Sequence, residues 1–188
     1  MSGFSDQLQS LKAQLHQNSE KIADLWSGLT DAQRPHKPSP ERWSVAECIA
    51  HLTLSSERFL PQIDTLLARA QSENLRNSGP FTMDVNGRLL TWILEPPYRY
   101  RTKTQPEFNP GSVNPLSHIL PAFQESQDNF VDAMNRSNGY ALDKLMFVSP
   151  FNAKFKYNLY SLYNVTAAHQ RRHIWQAEQV IRKMPSVQ

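Results

Sequence analysis

Two histidines four residues apart, His169 and His173 in the segment HQRRH, are the first feature with chemical reach. On a helix that spacing sets the side chains one above the other, about 5–6 Å apart at Cβ. Both imidazoles can then hold one metal ion at about 2.0–2.1 Å. The segment is not H-E-x-x-H: Gln170 stands where a metalloprotease places its general-base glutamate, and that chemistry is disfavoured. His51 supplies a third imidazole if its helix packs against the one bearing the pair. The competing reading of His51 is a core histidine bonded to a neighbouring carbonyl or hydroxyl. Three histidines around a divalent ion leave positions for water or substrate, as catalytic sites do and closed structural sites do not.

Other residues near these three have weaker claims. Arg172 can anchor an anionic substrate or make a surface salt bridge, and Gln176 can hydrogen-bond a bound molecule or simply face solvent. Cys48 lies one turn before His51 and reads as a small buried hydrophobe rather than a ligand. Glu47 can support the site from behind, but a capping role already accounts for it. His118 opens a helix and can approach the site, whereas His16 and His36 have no constellation around them. Trp43 reads as a hydrophobic staple beneath the helix that follows it.

Helices must position these groups, and the apolar spacing predicts four. The first spans about residues 5–29, with Leu8, Leu11, Leu15, Ile22 and Trp26 on one face. Pro35, Pro38 and Pro40 then stop any helix. The second starts at Ser44, where Ser44 and Glu47 form an S-x-x-E capping box, and runs to about residue 72 with a kink or break expected at Pro61. Residues 77–115 carry six prolines and read as a long connection, with a short helix across 87–95 and an extended loop able to wall a pocket. The third helix follows Asn114, with Pro115 in its first turn, and ends at Asn138-Gly139. The fourth spans about residues 159–183. A weak alternation near 151–157 is the sole strand signal. The expected fold is all-α: a four-helix bundle, one domain over residues 1–188, with a long proline-rich connection between the second and third helices.

Composition narrows the function classes. The 188 residues carry 20 Lys and Arg against 17 Asp and Glu, a net charge of +3. That excess is mild, and the basic clusters (Arg99, Arg101 and Lys103; Arg171-Arg172; Arg182-Lys183) are short, so a solvated basic surface is expected and not a nucleic-acid partner. No apolar run approaches the roughly 20 residues that cross a bilayer, and no membrane partner is expected. The start MSGFSDQLQS lacks the basic and apolar regions of a secretory signal. With a single cysteine there is neither an intrachain disulfide nor a Cys-rich zinc site. The expected localisation is cytoplasmic.

The segments ERWSVAECIAHL and HQRRHIWQAEQV, in this order and some 120 positions apart, resemble the DinB-like superfamily of metal-binding four-helix bundles. Trp43-Ser44-Val45-Ala46-Glu47 leading to His51 matches its W-S-x-x-E segment, and His169, Arg172, His173 and Gln176 match its H-x-x-R-H-x-x-Q pattern. The resemblance implies a divalent transition metal (nickel, zinc, iron or manganese) on His51, His169 and His173, with Arg172 and Gln176 facing substrate. Relatives include S-transferases and an isomerase that use low-molecular-weight thiols such as bacillithiol or mycothiol, and a homodimer is a further implication. A metal-coordinated thiol loses its proton near neutral pH and becomes a nucleophile. Three functions follow as expectations: a thiol-dependent transferase acting on small electrophiles, a metal-dependent hydrolase, or a non-enzymatic metal-bound bundle that binds a small molecule.

Overall fold

A computed structural model describes residues 6–97, 104–111, 113 and 115–184 of the chain. Its five α-helices are α1 (Asp6–Ser27), α2 (Val45–Ser72), α3 (Val85–Leu94), α4 (Ile119–Arg136) and α5 (Leu159–Ile181), and two short strands, β1 (Met146–Val148) and β2 (Lys156–Asn158), precede α5. The bundle closes as a ring: α1 packs on α5, α5 on α2, α2 on α4 and α4 on α1. The expected helical bundle is therefore present, the short helix expected across 87–95 forms as α3, and a hairpin is added. None of the helices is long and apolar enough to cross a membrane, among the described residues.

The core has two apolar compartments with a polar layer between them. One gathers Leu15, Phe59, Phe130 and Ala167; the other gathers Ile22, Leu52, Phe123 and Ile174. At the level between them every bundle helix turns a polar residue inward: Asn18 on α1, Ser55 on α2, Gln127 on α4 and Gln170 on α5, all buried. Gln170 Nε2 donates to Gln127 Oε1 at 2.6 Å, and Asn18 Nδ2 donates to Gln170 Oε1 at 3.2 Å. Ser55 Oγ donates to the His51 carbonyl at 2.9 Å. Such a layer accepts one register, because a slipped helix would bury unpaired amides at about 1–3 kcal/mol each.

The helix boundaries follow their caps. At the start of α2, Ser44 N–H donates to Glu47 Oε2 at 2.7 Å while Glu47 N–H donates to Ser44 Oγ at 3.1 Å, completing the capping box. Pro61 does not break α2, which is continuous to Ser72. The lost backbone bond there is outweighed by Phe59, Ile63 and Leu67, all buried on the same face. Asn158 caps α5 by accepting from Ser161 N–H at 2.7 Å. The third expected helix begins with a 3-10 turn, Leu116–His118, before α4, and Gly139 beyond its end takes a φ of 83°. Asn114, placed at that start by the sequence, and Arg99, Arg101 and Lys103 of the expected loop lie outside the described residues.

The hairpin departs from the sequence reading. Its strands pair Phe147 with Tyr157, and both rings are buried in the core. Three residues per strand are too few for an alternation to register, and the weak signal at 151–157 overlaps the connecting loop and β2 instead. Within the long connection, α3 lies along α5 and is pinned at both ends. Asp84 caps α3 through Gly87 N–H (3.0 Å) and also accepts from Asn158 N–H (2.5 Å) and Ser161 Oγ (2.9 Å). At the other end, Glu95 takes a forked ion pair from Arg171. Gly87 is required for this approach: a Cβ there would lie 2.2 Å from the Ser161 side chain.

Candidate metal centre

His51 comes from the end of the second turn of α2, and His169 and His173 come from successive turns of α5. Because α2 and α5 pack with their apolar faces together, the three rings meet. Their centroids lie 4.6–5.1 Å apart. His169 Nε2 stands 3.2 Å from His51 Nε2 and 3.0 Å from His173 Nε2. One coordinating nitrogen from each residue lies within 4.8 Å of the other two. Three nitrogens bound tetrahedrally at about 2.0–2.1 Å would be about 3.3 Å apart, so the observed spacing is close to that of a shared ion.

The proton count sharpens this. His51 Nδ1 lies 2.8 Å from the carbonyl oxygen of Phe108, which can only accept, so Nδ1 carries the proton and Nε2 presents a lone pair. A proton on His169 Nε2 could serve one of its two close neighbours and would leave the other nitrogen facing a nitrogen. A cation at the common point satisfies all three. His173 Nδ1 is buried without a partner in hydrogen-bonding geometry, while the Gln176 amide, one turn along, acts on the ring as a looser polar partner that favours its protonated form.

Burial decides the protonation state. It lowers the pKa of His51, partly opposed by the Phe108 carbonyl, and holds His169 and His173 well below the ordinary imidazole value. The neighbouring rings and the Arg172 charge depress the latter two further. All three are neutral at pH 7, the form that binds metal. The donor set therefore fits a divalent ion.

The rings open into a cavity of about 1140 Å³. Trp43 forms part of its wall, 4.8 Å from His51 and 5.7 Å from His173 between ring centroids. The staple role expected for Trp43 is thus replaced by a covering role over the rings. Arg172 is buried beside the pair, and its Nη1 donates to the Ile93 carbonyl at 3.2 Å. Neither it nor Arg171, which pairs with Glu95, belongs to the solvated basic surface expected from the sequence. Arg172 and Gln176 both line the cavity.

The remaining candidates fall away from the rings. Glu47 is occupied by its cap and by Lys37 Nζ at 3.0 Å. Cys48 is buried in the core, and burial, with the Glu47 charge adding to it, pushes its thiol up. His118, His16 and His36 are exposed, with His16 beside Glu20. Sequence reasoning missed Phe108, which acts through a carbonyl, and Phe151. Phe108 and Phe151 stack at 3.9 Å, and the Gln105 amide donates to the Phe151 carbonyl, tying the 105–108 turn to the hairpin loop over the site.

No curated protein and no solved structure matches the chain. A family model described as the DinB superfamily matches residues 14–177, a span holding all three histidines. On that match, the chain belongs to the DinB superfamily.

Proposed function

We propose that the chain is a metal-dependent transferase that moves a low-molecular-weight thiol onto a small electrophile. A divalent transition ion (nickel, zinc, iron or manganese) would sit on His51, His169 and His173. The observation that carries this reading is the convergence of three imidazoles, with His169 Nε2 3.2 Å from His51 Nε2 and 3.0 Å from His173 Nε2. Neutral ligands leave the ion's double charge undiminished, and a coordinated thiol is acidified to the nucleophilic thiolate. Arg172, charged and beside the pair, favours an anion at the same place. In the transfer the sulfur bonds to the electrophilic carbon, the leaving group departs with its electron pair, and the thiol proton passes to solvent through the cavity mouth.

The shape of the cavity favours two reactants over one. Its volume exceeds the roughly 300–1,000 Å³ usual for a single small ligand. His169 and His173 sit partway along α5, with lining residues of the cavity on either side of them. Toward the start of α5 the walls are Leu90 of α3 with Phe151 and Phe155 of the hairpin loop, while the Ile93 carbonyl meets Arg172 level with the histidine pair. Toward its end they are Trp43, Trp175 and Gln179. An apolar electrophile suits the Leu90, Phe151 and Phe155 wall.

Elemental analysis of wild type beside His51→Ala, His169→Ala and His173→Ala tests the centre. One ion per chain in wild type is expected, with loss in each variant and helical content retained. Metal retained in any one variant removes that residue from the site. Metal-loaded protein is then incubated with several thiols and a reactive electrophile. No rate above the metal-free control for any thiol removes the transferase. Turnover of esters, amides or lactams without thiol would instead favour the hydrolase, and a tightly held molecule recovered without turnover would favour the binding protein.

A further inference from the structure

Phe151 stands where the core, the histidine cluster and the 105–108 turn meet. Its ring stacks on Phe108 with centroids 3.9 Å apart and planes at 28°. It packs edge-on against Phe59 of α2 at 6.1 Å and against His169 at 6.5 Å. Its carbonyl accepts the Gln105 side-chain amide. The loop that carries it is closed on itself: Ser149 N–H donates to the Phe155 carbonyl at 2.9 Å, and Phe155 N–H to the Asn152 carbonyl at 2.8 Å. Phe147 anchors the hairpin by its buried ring, 5.6 Å from Phe59. The turn has no comparable support of its own. Among the described residues, two hydrogen bonds reach out of the 105–108 turn: the one from Gln105 to Phe151, and the one from His51 Nδ1 to the Phe108 carbonyl at 2.8 Å.

We propose that Phe151 is a positioning residue that acts on His51 through Phe108. Held by the ring stack and by the Gln105 bond, the Phe108 carbonyl stays against Nδ1 and keeps the proton there. His51 Nε2 then keeps its lone pair, 3.2 Å from His169 Nε2. A neutral imidazole with its proton on Nε2 would offer that point no lone pair. The effect on an ion's affinity rests on the metal-centre reading, but the place of the His51 proton does not. Because Phe151 also lines the cavity, the wall offered to a substrate and the support of a ligand ring are one side chain.

Metal-free protein with isotope-labelled histidine tests this at neutral pH, where long-range proton–nitrogen correlations report which ring nitrogen carries the proton. Wild type should show His51 protonated at Nδ1 alone. In Phe151→Ala the two tautomers should mix, and cobalt(II) should bind about tenfold to a hundredfold more weakly. Phe151→Tyr, which keeps the ring, should restore both. Gln105→Ala removes the other tie from an exposed position, where folding is not at stake, and should shift both readouts in the same direction. Phe130→Leu, a core change on α4, controls for lost stability and should leave the tautomer alone. A mixed tautomer in wild type, or an unchanged one in both Phe151→Ala and Gln105→Ala, overturns the proposal. A tautomer shift of equal size in Phe130→Leu does so too. Weaker cobalt binding with the tautomer unchanged also overturns it, and reduces Phe151 to packing against His169. Wild type that takes up no cobalt overturns the metal-centre reading instead, and the tautomer comparison still decides the role of Phe151.

Discussion

Between pH 7 and pH 5 the three imidazoles govern the stability of the metal-stripped protein. Burial holds His51 below, and His169 and His173 well below, the ordinary value of 6.5. As pH falls through 6.5 the unfolded chain takes up protons that the folded chain refuses, so the unfolded state gains. Their contribution is complete above 6.5 and is lost progressively as pH drops toward the folded values. The urea midpoint of stripped wild type should therefore fall over this range, and His169→Gln/His173→Gln should flatten the fall. An equal slope in the two proteins would show that other groups set it. In the loaded protein, protons compete with the ion for the ring nitrogens only at the lower pH where the folded rings take them up, so metal should be released below the range in which the stripped protein loses stability. At this scale the pair at 169 and 173 was legible from spacing, and His51 from its place near an apolar stripe. Phe108 was not legible, since a backbone carbonyl leaves no residue-type signature. Trp43 was misplaced because a staple and a ring cover share one sequence signal, an aromatic residue just before a capped helix.

The wall helix α3 depends on one close approach. Gly87→Ala puts a Cβ 2.2 Å from the Ser161 side chain, and neither α3 nor α5 can yield without loosening the Asp84 bonds. Overpacking of this kind costs about 1–3 kcal/mol. The midpoint of urea unfolding should drop accordingly, and Ser161→Gly added to the variant should restore part of it. No recovery would mean that the loss arises elsewhere. Long periodic helices were readable in order and nearly to the residue, because burial of one face imposes a period of 3.6. The capping box on α2 gave its start, and Asn158 closes the hairpin one residue before α5. The continuity of α2 through Pro61 was not readable, since it depends on neighbours from other helices. β1 escaped for a different reason: its pairing with β2 is tertiary, and three residues carry no pattern.

Across the whole molecule, the polar layer joins the two apolar compartments rather than separating them. Asn18, Gln127 and Gln170 bond one another across three helices, and each helix crosses both compartments. Loss of one compartment strips the layer of partners, so both should melt together. Tryptophan fluorescence, weighted to Trp26 and the site tryptophans, and far-ultraviolet circular dichroism should give coincident urea curves, as one cooperative domain requires. Separated midpoints would divide the chain into two folding units. The bundle was legible as a class because four amphipathic stripes have few ways to bury themselves. The internal layer was not, because single polar residues inside apolar stripes look like interruptions until their partners are known.

The pinning of α3 along α5 also separates two kinds of inheritance. The ion's holders sit on α2 and α5, whose apolar faces pack together in the core. Much of the cavity's apolar wall belongs to α3 and the hairpin loop, which rest on that frame from outside. Residues such as Leu89 and Phe155 can therefore be exchanged to admit a different acceptor while the nitrogen triangle keeps its dimensions. Diversification of specificity in this scaffold is accordingly cheap at the periphery and nearly forbidden at its axis.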